Sequence, residues 1–242
     1  MNFSYKAILF DWAYTLVDLI DEDDHAAFVR LTDFLRERGV ELPDFDRLFT
    51  AYQDMFYGLI AESRQTHREA CFETVLRYLF FRFGIELQDR ATWTEILTVY
   101  YDVIHGVRIL YPDVVGTLEA MQKAGVRMGV VSNTTNPKFI KEEEMHRTRL
   151  DRFFEFALYS SVMPYRKPHP SIFRAAVERF GLEAREILFV GDDLRMDVAG
   201  PQAVGLSTAW LNRKGASPID GIVPDYQLTR LDDLLRIEPL KV

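Results

Sequence analysis

The sequence has almost no cysteine. A single Cys71 in 242 residues excludes an intrachain disulfide. Its neighbours Phe72, Val75 and Leu76 are apolar, so Cys71 reads as a buried packing residue and not as a reactive thiol. Positive charge is also short. Lys and Arg number 29 against 37 Asp and Glu, a net charge of -8. General nucleic-acid binding needs clustered cations to neutralise phosphates, so this balance argues against it, and against anionic membrane surfaces. A small anionic substrate survives the argument, because a few local cations can serve it. No apolar run reaches the length of a membrane span. The run after Lys6 is too short for a secretory leader and lacks a small-residue cleavage site. The expectation is a soluble cytoplasmic protein with no nucleic-acid or membrane partner. Its oligomeric state is left open. Internal repeats and low-complexity tracts are absent too.

What is present is aromatic mass and a change of grammar along the chain. Phe 18, Tyr 11 and Trp 3 supply an ample core. The stretch Ala7-Ile8-Leu9-Phe10 runs straight into Asp11. Four apolar residues bounded by a polar turn suit a strand buried on both faces of a parallel sheet. The acidic patch Asp21 to Asp24 then opens an amphipathic run ended by Gly39. Helical periodicity dominates from there to about His105, over 45–62, 68–83 and 92–104, with no convincing strand. From Gly106 onward, strands at 126–131, 156–159, 187–190, 206–211 and 226–228 alternate with helices. That alternation predicts an α/β fold with a doubly wound, Rossmann-like parallel sheet. The domains expected are an α/β core of residues 1–16 and 107–242 and an all-helical insert of residues 17–106. An insert attached just past the sheet's ligand-binding edge is well placed to act as a lid.

Several strands end in polar residues of a particular kind: Asp11 and Thr15, Ser132-Asn133-Thr134, and Gly191-Asp192-Asp193 followed by Asp197. Arg166-Lys167-Pro168-His169-Pro170 precedes a helix between the last two strands involved. In a parallel sheet such ends share one edge. Each has a plainer reading. Asp11 and Ser132-Asn133 can cap a turn or helix, Lys167 can be a solvated lysine, His169 a helix-start residue, and Gly191-Asp192-Asp193 a turn with a cap. Taken together they suggest more. Asp11, Asp192, Asp193 and Asp197 would repel one another without a cation. A hard divalent ion such as Mg²⁺ and the Lys167 ammonium would neutralise them, while Ser132 and nearby N–H groups bind phosphate oxygens. That combination suits phosphoryl transfer to an aspartate nucleophile.

In these residues the chain resembles the haloacid dehalogenase superfamily of hydrolases. The matches are Phe10-Asp11-x-x-x-Thr15-Leu16, Ser132-Asn133, Lys167-Pro168-x-Pro170-x-x-Phe173 and Gly191-Asp192-x-x-x-x-Asp197. The resemblance implies a Mg²⁺-dependent phosphatase with a helical cap, acting on a small phosphorylated metabolite. It implies that Asp11 forms an aspartyl-phosphate, that Ser132 and Asn133 bind the transferring group, and that Lys167 orients nucleophile and phosphate. Mg²⁺ would sit on Asp11, the backbone carbonyl of Ala13 and Asp192, with Asp197 in support. In the cap, Arg64, His67 and Arg68 form a small basic cluster, and Arg64 and His67 are candidate substrate contacts. One departure stands out. The resembling phosphatases carry a second aspartate where this chain has Ala13, and that aspartate protonates the leaving oxygen and activates water. A methyl group does neither, so the sequence describes a slow or inactive form, natural or engineered. Three other readings stay open. One is a non-catalytic phospholigand-binding or interaction module. Another is a 2-haloacid dehalogenase, which needs no Mg²⁺; the retained Asp192 and Asp197 speak against it. The third is a phosphonoacetaldehyde hydrolase, which shares Asp-Trp-Ala but needs a cap lysine; no lysine lies between Lys6 and Lys123.

Overall fold

The computed structural model of the protein describes residues 5–20, 22–105 and 108–237. The boundary expected at 106/107 and the patch residue Asp21 lie outside them. The central sheet is built from β1 (Ala7–Phe10), β4 (Arg127–Ser132), β5 (Phe156–Tyr159), β6 (Ile187–Gly191), β7 (Ser207–Leu211) and β8 (Tyr226–Leu228). Their order is β5-β4-β1-β6-β7-β8, and every pairing is parallel.

The apolar run of β1 places it at the centre, with both faces covered. Ile8 and Phe10 pack on one face with Val114, Leu118 and Met121 of α5 (Val114–Lys123). Ala7 and Leu9 point the other way, onto Ile172, Phe173 and Phe180 of α7 (Pro170–Phe180). A strand flips successive side chains, so an unbroken apolar run is what a sheet with helices on both faces requires. β1 runs beside β4 on one side and β6 on the other, Phe10 level with Val130 and with Val190. The residues just after these three strands therefore meet at one edge, where the crossover direction reverses.

The segment between β1 and α5 carries four helices: α1 (Asp24–Glu37), α2 (Phe45–Thr66), α3 (Phe72–Phe83) and α4 (Trp93–His105). They enclose their own aromatic centre. Phe28 stacks on Tyr52 at 4.9 Å, Tyr52 on Phe56 at 5.5 Å, and Phe72 lies 4.5 Å from Tyr100. Asp24 accepts a hydrogen bond from the buried Tyr100 hydroxyl at 2.7 Å, tying the start of α1 to α4.

Four expectations need correction. The expected helix start at Arg68 moves to Phe72, because α2 extends to Thr66 and His67 turns left-handed (φ 57°). The expected helix over 196–204 divides into a wide turn at Leu194–Ala199 and a short helix at Gly200–Gln202. Cys71 is half-buried and precedes α3, so it is not a core residue. Residues 17–106 also contain a strand. β2 (Val17–Leu19) pairs antiparallel with β3 (Arg108–Leu110). Three-residue strands whose partners lie far apart in sequence carry no readable period. This two-stranded ribbon joins the sheet to the helices at both crossings.

Candidate active site

Asp11 leaves the buried end of β1 and is 8% exposed. Its Oδ1 accepts a hydrogen bond from Lys167 Nζ at 2.6 Å, and the same ammonium donates to Asp197 Oδ1 at 2.7 Å. Oxygens of Asp11, Asp192 and Asp197 all lie within 4.8 Å of one another. Lys167 is 2% exposed, so one buried cation stands among three carboxylates. Burial alone would lower its pKa, but Asp11 and Asp197 reverse that and hold the ammonium above its ordinary range. Asp192 takes the opposite strain. Burial first, and then the charges of Asp11 and Asp197, push its carboxyl from 3.8 up to about 8. Burial and Asp11 likewise raise Asp197, against Lys167. A cluster that holds its carboxylates ionised only with difficulty is short of a positive charge, and its all-oxygen donor set fits a hard divalent ion.

Local folding explains the convergence. Gly191 ends β6, and a Cβ there would stand 2.3 Å from Cγ of Asp197, so glycine lets that carboxylate lie against the strand end. Asp193 caps the following turn, accepting from the backbone N–H groups of Arg195 and Met196 at 2.8 Å. The plainer reading of Gly191-Asp192-Asp193 therefore describes Asp193, while Asp192 belongs to the cluster. Asn133 clasps the Lys167 loop from both sides. Its Nδ2 donates to the Lys167 carbonyl at 3.0 Å, and its Oδ1 accepts from the Lys167 N–H at 2.8 Å. Ser132 is 2% exposed, and its Oγ has only a long 3.5 Å contact with the Asn133 carbonyl. Thr15 Oγ1 is buried with no partner among the described residues. His169 caps α7, its Nδ1 accepting from the Ser171 N–H.

A cavity of about 220 Å³ adjoins this corner. Its wall includes Trp12 and Ala13 from the end of β1, Ser132 and Asn133 from the end of β4, Ile60 and Arg64 from α2, and Arg166 from the Lys167 loop. Arg64 thus stands where the sequence placed a substrate contact. His67 does not reach the wall; its carbonyl accepts from the Arg166 N–H at 2.8 Å and fixes the α2–α3 turn to the Lys167 loop. The Ala13 side chain brings no polar atom, and Ala13 takes part in an isolated bridge to Val17.

Four other charged groups were not legible as site residues: Lys141, Glu144, Arg108 and Glu69. Lys141 and Glu144 lie on α6 (Lys138–Arg147) and face inward. Glu144 Oε1 accepts from Trp12 Nε1 at 2.7 Å, and its Oε2 accepts from Lys141 Nζ at 2.6 Å. Arg108 Nε lies 3.3 Å from Glu144, and His105 Nε2 lies 3.5 Å away. Burial works against the Glu144 charge, yet Lys141, Arg108 and His105 outweigh it and hold its pKa down at about 2. Burial pushes His105 down to about 4. Glu69 joins Arg166, Ser63 and Ser160 across the helical segment and the sheet edge. Helical spacing from Lys141 to Glu144 reads equally well as a solvated pair.

Comparison with known proteins places this geometry. Residues 5–205 match the model of the haloacid dehalogenase-like hydrolases. A glyceraldehyde 3-phosphate phosphatase of Pyrococcus furiosus is 30% identical over 240 residues, covering 96% of this chain and 92% of that protein. The pyrophosphatase PpaX of Bacillus cereus is 31% identical over 155 residues, 62% of this chain and 70% of its own. Among solved structures, a HAD phosphatase from Thermococcus onnurineus superposes with a TM-score of 0.66 at 25% identity, covering 96% of this chain and 97% of that one. A 2-haloacid dehalogenase from Pseudomonas syringae reaches the same TM-score at 23% identity over 96% and 97% of the two chains, and shares the fold.

Proposed function

For a chain that belongs to the haloacid dehalogenase-like hydrolases, we propose a Mg²⁺-dependent phosphomonoester hydrolase that uses Asp11 as nucleophile on a small phosphorylated metabolite. The observation that carries this reading is the Lys167 ammonium set between Asp11 and Asp197, 2.6 and 2.7 Å away, with Asp192 completing an oxygen cluster. Asp11, Asp192 and the Ala13 carbonyl would hold Mg²⁺, with Asp197 supporting them. Bound there, the ion offsets charge building on the phosphoryl oxygens.

The remaining steps belong to the chain itself. Asp11 attacks phosphorus in line while Lys167 fixes its carboxylate and draws one phosphoryl oxygen. The loosely engaged Ser132 hydroxyl donates to a second oxygen, and Asn133 keeps the Lys167 loop against β4. The P–O bond to the alcohol breaks as the bond to Asp11 forms, and water then releases phosphate and restores the carboxylate. No side chain at position 13 protonates the leaving alkoxide or deprotonates that water. Help of this kind is worth typically ~10²–10⁴-fold, so turnover of alkyl phosphates is slow. The α1–α4 segment acts as a cap, tied to the sheet edge by Arg166 bonded to Glu69 and Ser63. A cap that shuts out water suits a small ester.

The test is hydrolysis of a panel of phosphate esters by the Ala13→Asp variant, with Mg²⁺ and with EDTA. Mg²⁺-dependent release of phosphate, lost again on Asp11→Asn, is expected. No release from any ester by a folded variant would favour a phospholigand-binding module. Halide release from 2-haloacids in EDTA would instead make the protein a dehalogenase.

A further inference from the structure

We propose that Arg108 and Lys141 form a second anion site on the wall of the cavity, so that the preferred ester carries a further negative group on its organic part. The inference rests on the phosphatase reading for the position of the ester and goes on to name its class.

Arg108 comes from strand β3 of the two-stranded ribbon and its side chain is 6% exposed. Nη2 pairs with Glu22 at 2.5 Å and Nε faces Glu144 at 3.3 Å. Nη1 is buried and has no partner among the described residues. A guanidinium N–H taken out of water without an acceptor is costly, and charged donors cost more than neutral ones. Arg108 lines the cavity wall, and a turn of its guanidinium that brings Nη1 to the cavity surface would let a ligand there supply the acceptor. Lys141 is 5% exposed and shares that wall, with its Nζ 5.2 Å from the Trp12 ring centre. Trp12 directly follows Asp11, so the Lys141 ammonium stands over the ring of the residue next to the nucleophile.

The charge balance of the wall points the same way. Arg64, Arg108, Lys141 and Arg166 line it, with Glu22 and Glu69 as the acids. Glu69 is already bonded to Arg166, and Glu144, which pairs with Lys141, lies behind the wall. Arg108 is matched by Glu22, so Arg64 is the cation left in surplus on the wall, and Arg108 Nη1 is the buried donor with no partner among the described residues. An arginine fork with a free N–H suits a planar carboxylate or a phosphate equally. The shared chemistry is an anion joined to the phosphorylated carbon skeleton, or a second phosphoryl group.

The test titrates the protein with its own Ala13 calorimetrically in Mg²⁺, each probe being checked by phosphate release and by mass for the phosphorylated protein so that only unreacted ligand is counted. The probes are glycerol 1-phosphate, phosphoglycolate and pyrophosphate. Phosphoglycolate, pyrophosphate or both should bind at least about tenfold tighter than glycerol 1-phosphate, the charge-assisted contact being worth about that factor. Whichever does so identifies the carboxylate or the phosphoryl source. Arg108→Gln should erase the preference. Equal affinity for all three, measured in the unaltered protein, overturns the second site whether or not the variant folds. A preference that survives Arg108→Gln also overturns the assignment to Arg108. If none of the three binds, the phosphatase reading falls, and the second site with it.

Discussion

Two buried charge clusters stand on either side of Trp12, and they are close to inversions of each other. Before it, three carboxylates of Asp11, Asp192 and Asp197 share the single ammonium of Lys167. After it, the buried carboxylate of Glu144 is shared by Lys141 and Arg108, with the His105 ring beside it and Glu22 paired to the other side of Arg108. The first lacks positive charge, and the Asp192 carboxyl responds by rising to about 8. In the second, the cations of Lys141 and Arg108 surround the buried acid, and the Glu144 carboxyl responds by falling to about 2. The same physics, read in opposite directions, underlies the proposal of a cation at the first and of an anion beside the second. Ala13 and Ser132 lie on the cavity wall with Arg108 and Lys141, which is where an ester bridging both would be held.

The largest change expected is at the position that belongs to neither cluster. Ala13→Asp should raise kcat on an alkyl phosphate by about 10²–10⁴-fold, measured as phosphate release in Mg²⁺. Next comes the first cluster's only cation. Lys167→Ala leaves Asp11 and Asp197 buried without a partner and should cost about 3–5 kcal/mol in urea denaturation. An Asp11→Asn change added to it should recover part of that loss, since it removes one of the stranded charges.

The clusters should also part company in their response to pH. Asp192 has a raised folded pKa, so its contribution to stability is fully present below about 4 and is lost as pH rises through about 8. Mg²⁺ should therefore raise the Tm more at pH 8 than at pH 5, by up to about 3 kcal/mol of stability at one hundred times its Kd. The second cluster has the opposite sign. Burial depresses His105 to about 4, so its contribution is present above 6.5 and is lost as pH falls through about 4. Glu144 follows, its contribution present above 4.5 and lost as pH falls through about 2. The smallest expected effect is on the acid side: His105→Phe should flatten the fall in Tm between pH 6.5 and 4 without altering the Mg²⁺ response.

The same contrast shows what the sequence could reveal. Asp11, Ser132, Lys167, Asp192 and Asp197 were legible because each follows a buried strand or opens a helix, and a parallel sheet sends those positions to one edge. The doubly wound core was legible for a related reason, since unbroken runs such as Ala7–Phe10 and Ile187–Val190 suit burial on two faces. The second cluster left no such trace. Lys141 and Glu144 sit mid-helix at a spacing common on solvated faces, and Arg108 belongs to a strand of three residues. Their burial depends on α6, the end of α4 and β3 meeting beside Trp12, which is tertiary information. Cys71 failed for the converse reason: apolar neighbours on a helix say nothing about the residue that precedes its first turn.

The most direct test uses a leaving group that needs no proton. p-Nitrophenyl phosphate can phosphorylate Asp11 without an acid at position 13, but the resulting aspartyl-phosphate still lacks a base to activate water. Acid-quenched protein with Ala13 in place, incubated with this ester and Mg²⁺, should carry one phosphoryl group on the peptide containing Asp11, seen by mass spectrometry and absent from Asp11→Asn. p-Nitrophenol released at equal rates by both proteins, with no adduct on that peptide, would contradict the account.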